Sequence, residues 1–182
     1  MISIYWTFCS GKHEHRLAKS LVHDVLAYHQ IHPSMLNKTQ QGKPILSSGQ
    51  FISWSHSDQC IAIAFSNTHL LGIDVEKIDV INWKKLSQRL DQSSQNSINS
   101  SHHKKLAFYK IWTQKEAIAK HYGHSVWQEL NQNTSNILTN TWIFPCEYVM
   151  SITNPTRQKI QLIHLTGLAH HCESEKSLRT HL

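Results

Sequence analysis

Leu71-Gly72-Ile73-Asp74-Val75-Glu76 reads as a strand: an apolar run with β-branched residues, closed by a polar segment. Side chains two apart in a strand share a face, so Asp74 and Glu76 project side by side. Two oxygen donors on one face suit a hard divalent cation such as Mg²⁺. That ion takes one or two carboxylates and shares its remaining positions with water and substrate phosphates. Acidic residues at the solvated end of a half-buried strand are also common, and the pair alone does not separate the two readings.

Around this strand the periodicities alternate. Ile2 to Phe8 reads as a first strand, and His13 to His29 has helical spacing at Leu17, Leu21, Val25 and Tyr28. Gly42-Lys43-Pro44 is a turn. Phe51 to Ser55 and Cys60 to Phe65 are strands joined by a turn at Ser55-His56-Ser57-Asp58, and Leu70 to Glu76 follows. A short helix is expected over Trp83 to Leu90, and a flexible polar loop over Asp91 to Ser101. Lys104 to Tyr122 is the strongest helix, with Phe108, Ile111, Ile118, Ala119 and Tyr122 on a broad apolar face and Tyr109, Thr113, Glu116 and Lys120 on a second stripe. Strands fit Thr141 to Ile152, with Pro145 as a bend or edge, and Lys159 to Leu165. The class is α+β. Each half runs strand, helix, strands, giving an N-terminal half over 1–80, a C-terminal half over 81–168 and a polar, frayed tail over 169–182.

The chain has 182 residues, 40% of them hydrophobic, with six Trp, enough to bury a substantial core. Its formal charge of +6 favours an acidic partner: nucleic acid, an anionic cofactor or an acidic protein. Cys9, Cys60, Cys146 and Cys172 form no CxxC pair and are expected to be reduced thiols. No segment approaches the ~20 apolar residues that span a bilayer. The opening Met1-Ile2-Ser3-Ile4-Tyr5-Trp6 has no basic region before its apolar stretch. A cytoplasmic protein without membrane association is the expectation.

Trp112-Thr113-Gln114-Lys115-Glu116-Ala117-Ile118-Ala119-Lys120 is the second segment that bears on chemistry. Thr-x-x-Glu matches a capping box, and Glu116 to Lys120 matches an i,i+4 ion pair worth a few tenths of a kcal/mol. The apolar period runs straight through Thr113 from Leu106, however, which disfavours a helix start there. The functional reading makes Glu116 a third carboxylate and Lys120 a cation for an anionic oxygen. Ser53-Trp54-Ser55-His56-Ser57 offers hydroxyl and imidazole donors for phosphate, against the bland reading of a surface turn in a chain with 15 His. The pairs at His13, His102 and His170 lack helical zinc spacing and read as solvated. Walker, Gly-x-Ser-x-Gly and Gly-x-Gly-x-x-Gly motifs are absent.

The order Gly-Lys-Pro, Ser-His-Ser, Gly-Ile-Asp-Val-Glu, Trp-Thr-x-Lys-Glu-Ala-x-x-Lys resembles the 4′-phosphopantetheinyl transferase superfamily, closely over residues 42–123 and in outline elsewhere. Length and paired halves resemble its monomeric, pseudo-dimeric type, which activates peptide and polyketide synthetases. The resemblance implies transfer of the phosphopantetheine arm of coenzyme A to a serine of an acidic acyl or peptidyl carrier protein, with release of adenosine 3′,5′-bisphosphate. It implies Mg²⁺, or Mn²⁺, held by Asp74, Glu76 and Glu116. Lys120, Ser55 and His56 would contact phosphate, Lys43 and Pro44 the adenine nucleotide, and Arg16 the 3′-phosphate, with Glu116 and Lys120 as the catalytic pair. Three positions depart from the family pattern: Gln95 and Asn96 where an acid is frequent, Gly123-His124-Ser125 where Gly-x-Gly is common, and Ser53-Trp54 before the Ser-His-Ser turn.

Two rivals follow from the same residues. A nucleic-acid binder should cluster its basic residues, whereas Lys84-Lys85 and Lys104-Lys105 are the only Lys/Arg doublets. A degenerate, non-catalytic coenzyme A- or carrier-binding module would be expected to have lost an acid, and all three are present.

Overall fold

The computed structural model describes residues 1–9, 14–79, 81–132 and 137–165. In chain order the elements are β1 (Ile2–Phe8), α1 (Glu14–Tyr28), β2 (Leu36–Lys38), β3 (Pro44–Leu46), β4 (Phe51–Ser57), β5 (Cys60–Ser66) and β6 (Ile73–Lys77). Then come α2 (Trp83–Ser87), α3 (Gln92–Ser100), α4 (Lys104–Tyr122), α5 (Val126–Glu129), β7 (Thr139–Phe144), β8 (Tyr148–Thr153) and β9 (Ile160–His164). The class is mixed α and β, as the sequence implied.

Two sheets carry the architecture, in the orders β4-β5-β1-β9 and β6-β8-β7, with β2-β3 as a small separate ladder. β1 pairs antiparallel with β5 and parallel with β9. Each large sheet contains the same arrangement: a first strand (β1 or β6), a long helix (α1 or α4), then a hairpin (β4-β5 or β7-β8) whose second strand pairs back on the first. Each such unit passes the next strand to the other sheet. β6 follows β5 yet pairs with β8, and β9 follows β8 yet pairs with β1.

Alternation along the strands sorts the core into layers. Tyr5, Ile52, Ile61, Ile63 and Phe65 face α1, where Ala18, Leu21, Val22 and Val25 meet them at helical spacing. Ile2, Ile4, Ala62 and Ala64 face the second sheet, against Ile73, Val75, Met150 and Ile152. α4 covers the far side of that second sheet, burying Phe108, Tyr109 and Trp112 with Val149, Leu90, Ile98 and Leu130. Tyr122, expected on the apolar face, is 56% exposed because it lies at the helix end. Among the described residues no helix is long and apolar enough to cross a membrane.

Several local expectations are corrected. Asp91 to Ser101 is not a flexible loop but holds α3, whose N-cap is Asp91 accepting from Ser94 N at 3.0 Å. Its polar composition hid the helix, which tertiary contacts support: Ile98 is buried, and the buried Lys115 ammonium lies 2.9 Å from the Asp91 carboxylate. Lys115 also donates to the carbonyls of Glu129 and Gln132, so one side chain ties α3 and the α5 segment to α4. Burial pushes the Asp91 carboxyl up, but hydrogen bonds from Ser94 and Lys115 outweigh it and hold the group below its ordinary range. The strand expected over Thr141 to Ile152 is a hairpin, because Cys146 and Glu147 both adopt positive φ and turn the chain. β4 runs on through Ser57, and the turn lies at Asp58-Gln59, with φ +50 at Asp58. Cys9 and Cys60 are buried thiols, Cys146 lies in the hairpin turn, and Cys172 lies outside the described residues. The tail from residue 169 lies outside the described residues.

One close approach sets the seat of α4. A Cβ on Gly72 would collide with the Ala117 carbonyl and the His121 amide, so the backbone entering β6 lies directly against the helix. Thr153 closes this contact: its Oγ1 accepts from Gly72 N at 2.9 Å and lies 3.0 Å from His121 Nδ1. Burial, reinforced by the Lys43 charge, lowers His121 to about 4.

Gly72→Ala is expected to destabilise the protein by on the order of 3 kcal/mol in chemical denaturation, since backbone on both sides leaves little room to relax. His121 has a second consequence. Its folded pKa lies below the ordinary 6.5, so its contribution is complete above pH 6.5 and is lost as pH falls toward 4. Stability measured for the native chain and His121→Gln should therefore converge over that window, by roughly 1 to 3 kcal/mol. A pH-independent difference would contradict this.

Candidate active site

Ile73 and Val75 point into the core between the sheets, so Asp74 and Glu76 turn to the opposite face. Asp74 is 3% exposed there. Its register partner on β8 is Ser151, whose Oγ lies 2.8 Å from Thr113 Oγ1 on α4. The acids thus sit between a sheet and a helix rather than at a solvated strand end.

A stripe of serines on β4 holds this strand from the side. Ser53, Ser55 and Ser57 share one face and are all buried. Ser53 Oγ accepts from Ile73 N at 3.2 Å and Ser57 Oγ from Lys77 N at 3.1 Å, which satisfies backbone donors on the edge of β6. Ser55 donates to Asp74 Oδ1 at 2.8 Å, and Ser57 donates to Glu76 Oε2 at 2.7 Å.

α4 supplies the remaining groups. It begins at Lys104, so Thr113 is mid-helix, bonded to the Tyr109 carbonyl at 3.0 Å, and caps nothing. Lys120 bonds to Asp74 Oδ1 and Ser55 Oγ, each at 2.8 Å, and makes no ion pair with Glu116. Tyr109 anchors the segment after β6, its hydroxyl accepting from Asp79 N at 2.9 Å and Ile81 N at 3.3 Å.

Three acids meet one lysine in this seam. Burial first, and then the Asp74 charge, push Glu76 up to about 7, against hydrogen bonding from Ser57 and the nearby Lys120 and Trp112 N–H. Burial and the Asp74 charge likewise push Glu116 up to about 7, with Lys120 opposing and Glu76 adding to the rise. Glu76 and Glu116 thus hold protons near neutral pH that a further cation would displace. Among the described residues no three His, Cys, Asp or Glu side chains are grouped so that they could hold a metal ion as they stand. The donor set nonetheless fits a hard cation: Asp74 Oδ2 is buried with no hydrogen-bond partner, although Oδ1 has two.

Lys120 also lines an open cleft of about 270 Å³ with Lys43, Pro44, Ser53, Trp54 and His124. The Lys43 amine is turned away to the His121 carbonyl at the end of α4, and its stem lies on Gly123, where a Cβ would stand 2.8 Å from Lys43 Cδ. Ser55 and His56, both read as phosphate donors, point to opposite faces because the segment is strand rather than turn. His56 lines a second cleft of about 230 Å³ against α1, with Lys19, His23, Lys38 and Trp54. Lys38 and Trp54 border both clefts. Arg16 is exposed on α1 and lines neither. Ser53 and Ser57 stand at period-two spacing in the sequence, but their partnership with the acid strand emerges only in the fold. His124, the free middle position of Gly123-His124-Ser125, carries no role in the sequence pattern.

The model of the 4′-phosphopantetheinyl transferase superfamily matches residues 70–174, more than half of the chain. The 4′-phosphopantetheinyl transferase AcpT of Salmonella typhi is 36% identical over 95 residues, 49% of this chain and 50% of the relative. AcpT of Escherichia coli (strain K12) is 31% identical over 96 residues, 49% of each chain. The 4′-phosphopantetheinyl transferase gsp of Aneurinibacillus migulanus is 28% identical over 165 residues, 74% of this chain and 67% of its own. The chain spans about half the length of the AcpT relatives it matches. The acid strand and the helix that faces it both fall within the matched segment, and the chain belongs to the 4′-phosphopantetheinyl transferase superfamily.

Proposed function

We propose that the protein transfers the 4′-phosphopantetheine arm of coenzyme A to a serine of an apo acyl or peptidyl carrier protein. The serine oxygen bonds to the β-phosphorus, the bond from that phosphorus to the bridging oxygen breaks, and adenosine 3′,5′-bisphosphate leaves. The observation that carries this reading is the half-satisfied Asp74 carboxylate, buried beside Lys120 at the edge of a lysine-lined cleft.

Asp74, Glu76 and Glu116 are the residues that would hold Mg²⁺ or Mn²⁺, and the bound ion supplies charge neutralisation at the pyrophosphate oxygens. Lys120, fixed by Asp74 and Ser55, adds a positive charge where the bridging and non-bridging oxygens become more negative. Glu116, or a water it orients, is the group that would accept the serine proton, since its carboxylate would lie at the metal where the nucleophile arrives. Lys43 and Pro44 offer a wall for the adenine nucleotide. Ser55, His56 and Arg16 stay as phosphate contacts in this reading, Ser55 at the acid seam and the other two on the α1 side.

The two β-α-β-β units, β1-α1-β4-β5 and β6-α4-β7-β8, are read as a pseudo-dimer within one monomeric chain. The excess charge of +6 suits an anionic cofactor and an acidic carrier, both cytoplasmic.

Incubation of a panel of apo carrier proteins with this protein, coenzyme A and Mg²⁺ should add one phosphopantetheine unit by intact mass, and a chelator should prevent it. No gain on any carrier would refute the transferase reading. Asp74→Asn preserves the shape of the residue and its contact with Ser55 but removes the charge. It should lower kcat/KM by at least about 100-fold while circular dichroism stays native; near-normal turnover in a folded variant would remove Asp74 from the site.

A further inference from the structure

His124 borders the cleft beside Lys120, and a buried carboxylate fixes it from behind. Glu129, 2% exposed, ends α5; its Oε1 lies 2.9 Å from His124 Nε2, and its Oε2 is buried without a partner. The short helix is itself pinned: Ser125 and Gln128 form a reciprocal capping box, and the Lys115 ammonium donates to the Glu129 carbonyl at 3.1 Å. A carboxylate buried with one partner carries a desolvation cost that its hydrogen bond must offset, and here that partner is His124. With Nε2 committed, Nδ1 has the Ser125 carbonyl at 3.4 Å, beyond the range of a strong bond.

The lysines of the cleft are differently placed. Lys120 is engaged by Asp74 and Ser55, and Lys43 by the His121 carbonyl. Lys38 is exposed on the three-residue strand β2 and has no side-chain bond among the described residues to fix it. Lys120 and His124 are each fixed by a buried carboxylate with hydrogen-bonding capacity to spare, and of the two His124 is the one to which the transferase reading gives no role. A carboxylate behind an imidazole that presents its second nitrogen outward is a recurrent way to aim a histidine at a ligand.

We propose that His124, aimed by Glu129, is a phosphate contact for the nucleotide half of coenzyme A, an inference that rests on the transferase reading above. Glu129 acts as a positioning residue and touches no substrate. His124 is the middle position of Gly123-His124-Ser125, where the departure from Gly-x-Gly is Ser125.

The test is calorimetric titration of coenzyme A, with no carrier present, into the native chain, His124→Gln, Glu129→Gln, the double variant and His124→Lys, each shown folded by thermal melting. His124→Gln should bind about tenfold more weakly. Glu129→Gln should lose several-fold, the double variant no more than His124→Gln, and His124→Lys should recover most of the affinity. The slope of log Kd against log salt should be shallower for His124→Gln, a change that a merely structural role would not produce. Unchanged affinity in folded His124→Gln overturns the inference alone, as does a loss in Glu129→Gln that adds fully to that of His124→Gln. Absence of coenzyme A binding by the native chain overturns both this inference and the transferase reading.

Discussion

An exposed strand edge inside a protein must find partners for its backbone, and β6 finds them in serine side chains. Ser53 and Ser57 accept N–H groups of Ile73 and Lys77, while Ser55 and the same Ser57 donate to the acids between them. One stripe of small hydroxyls therefore does two things at once. It joins two sheets that share no ladder at that seam, and it meets the carboxylates that strand alternation has turned away from the apolar core. Larger side chains on that face of β4 would hold the sheets apart and leave both backbone and carboxylates without partners.

The helix opposite is located by contact rather than by charge. Gly72 lets the backbone touch α4 at Ala117 and His121, and Lys120 then comes within 2.8 Å of Asp74. Coulomb attraction across such a seam is worth little unless the groups are already in place. The seam is uneven in charge: three carboxylates, one lysine and raised values for Glu76 and Glu116. This is an arrangement of stored repulsion, relieved by protons or by a cation.

Much of this was legible in the sequence, for physical reasons. The acid pair on one strand face follows from a period of two, and α4 from a period near 3.6 that ran unbroken through Thr113. The placement of Ser55 and His56 was not legible, because a polar, alternating Ser-Trp-Ser-His-Ser segment is equally a turn or a strand until its partners are known. The strand form sends Ser55 to Asp74 and His56 to α1. α3 was hidden for a related reason. Gln, Ser and Asn are indifferent helix formers, and the helix depends on its own Asp91 cap being held by a buried Lys115 that comes from α4. The pairing of His124 with Glu129 across a short capped helix also required the fold.

The exchange of strands between the sheets bears on how the chain reaches its native state. β1 lies between β5 and β9, with Ile2 opposite Ser66 on one side and Ile160 on the other. The first pairing is available as soon as β5 exists, but the second joins segments separated by most of the polypeptide. Until β9 arrives, β1 presents an open, apolar edge, the kind of surface that recruits other chains. The loop that closes this pairing encloses the whole second sheet, so topology alone argues for slow completion of the first sheet and a late, cooperative locking of the two. A nascent chain halted before β9 would carry the acid strand and its serine stripe yet still need a chaperone's protection.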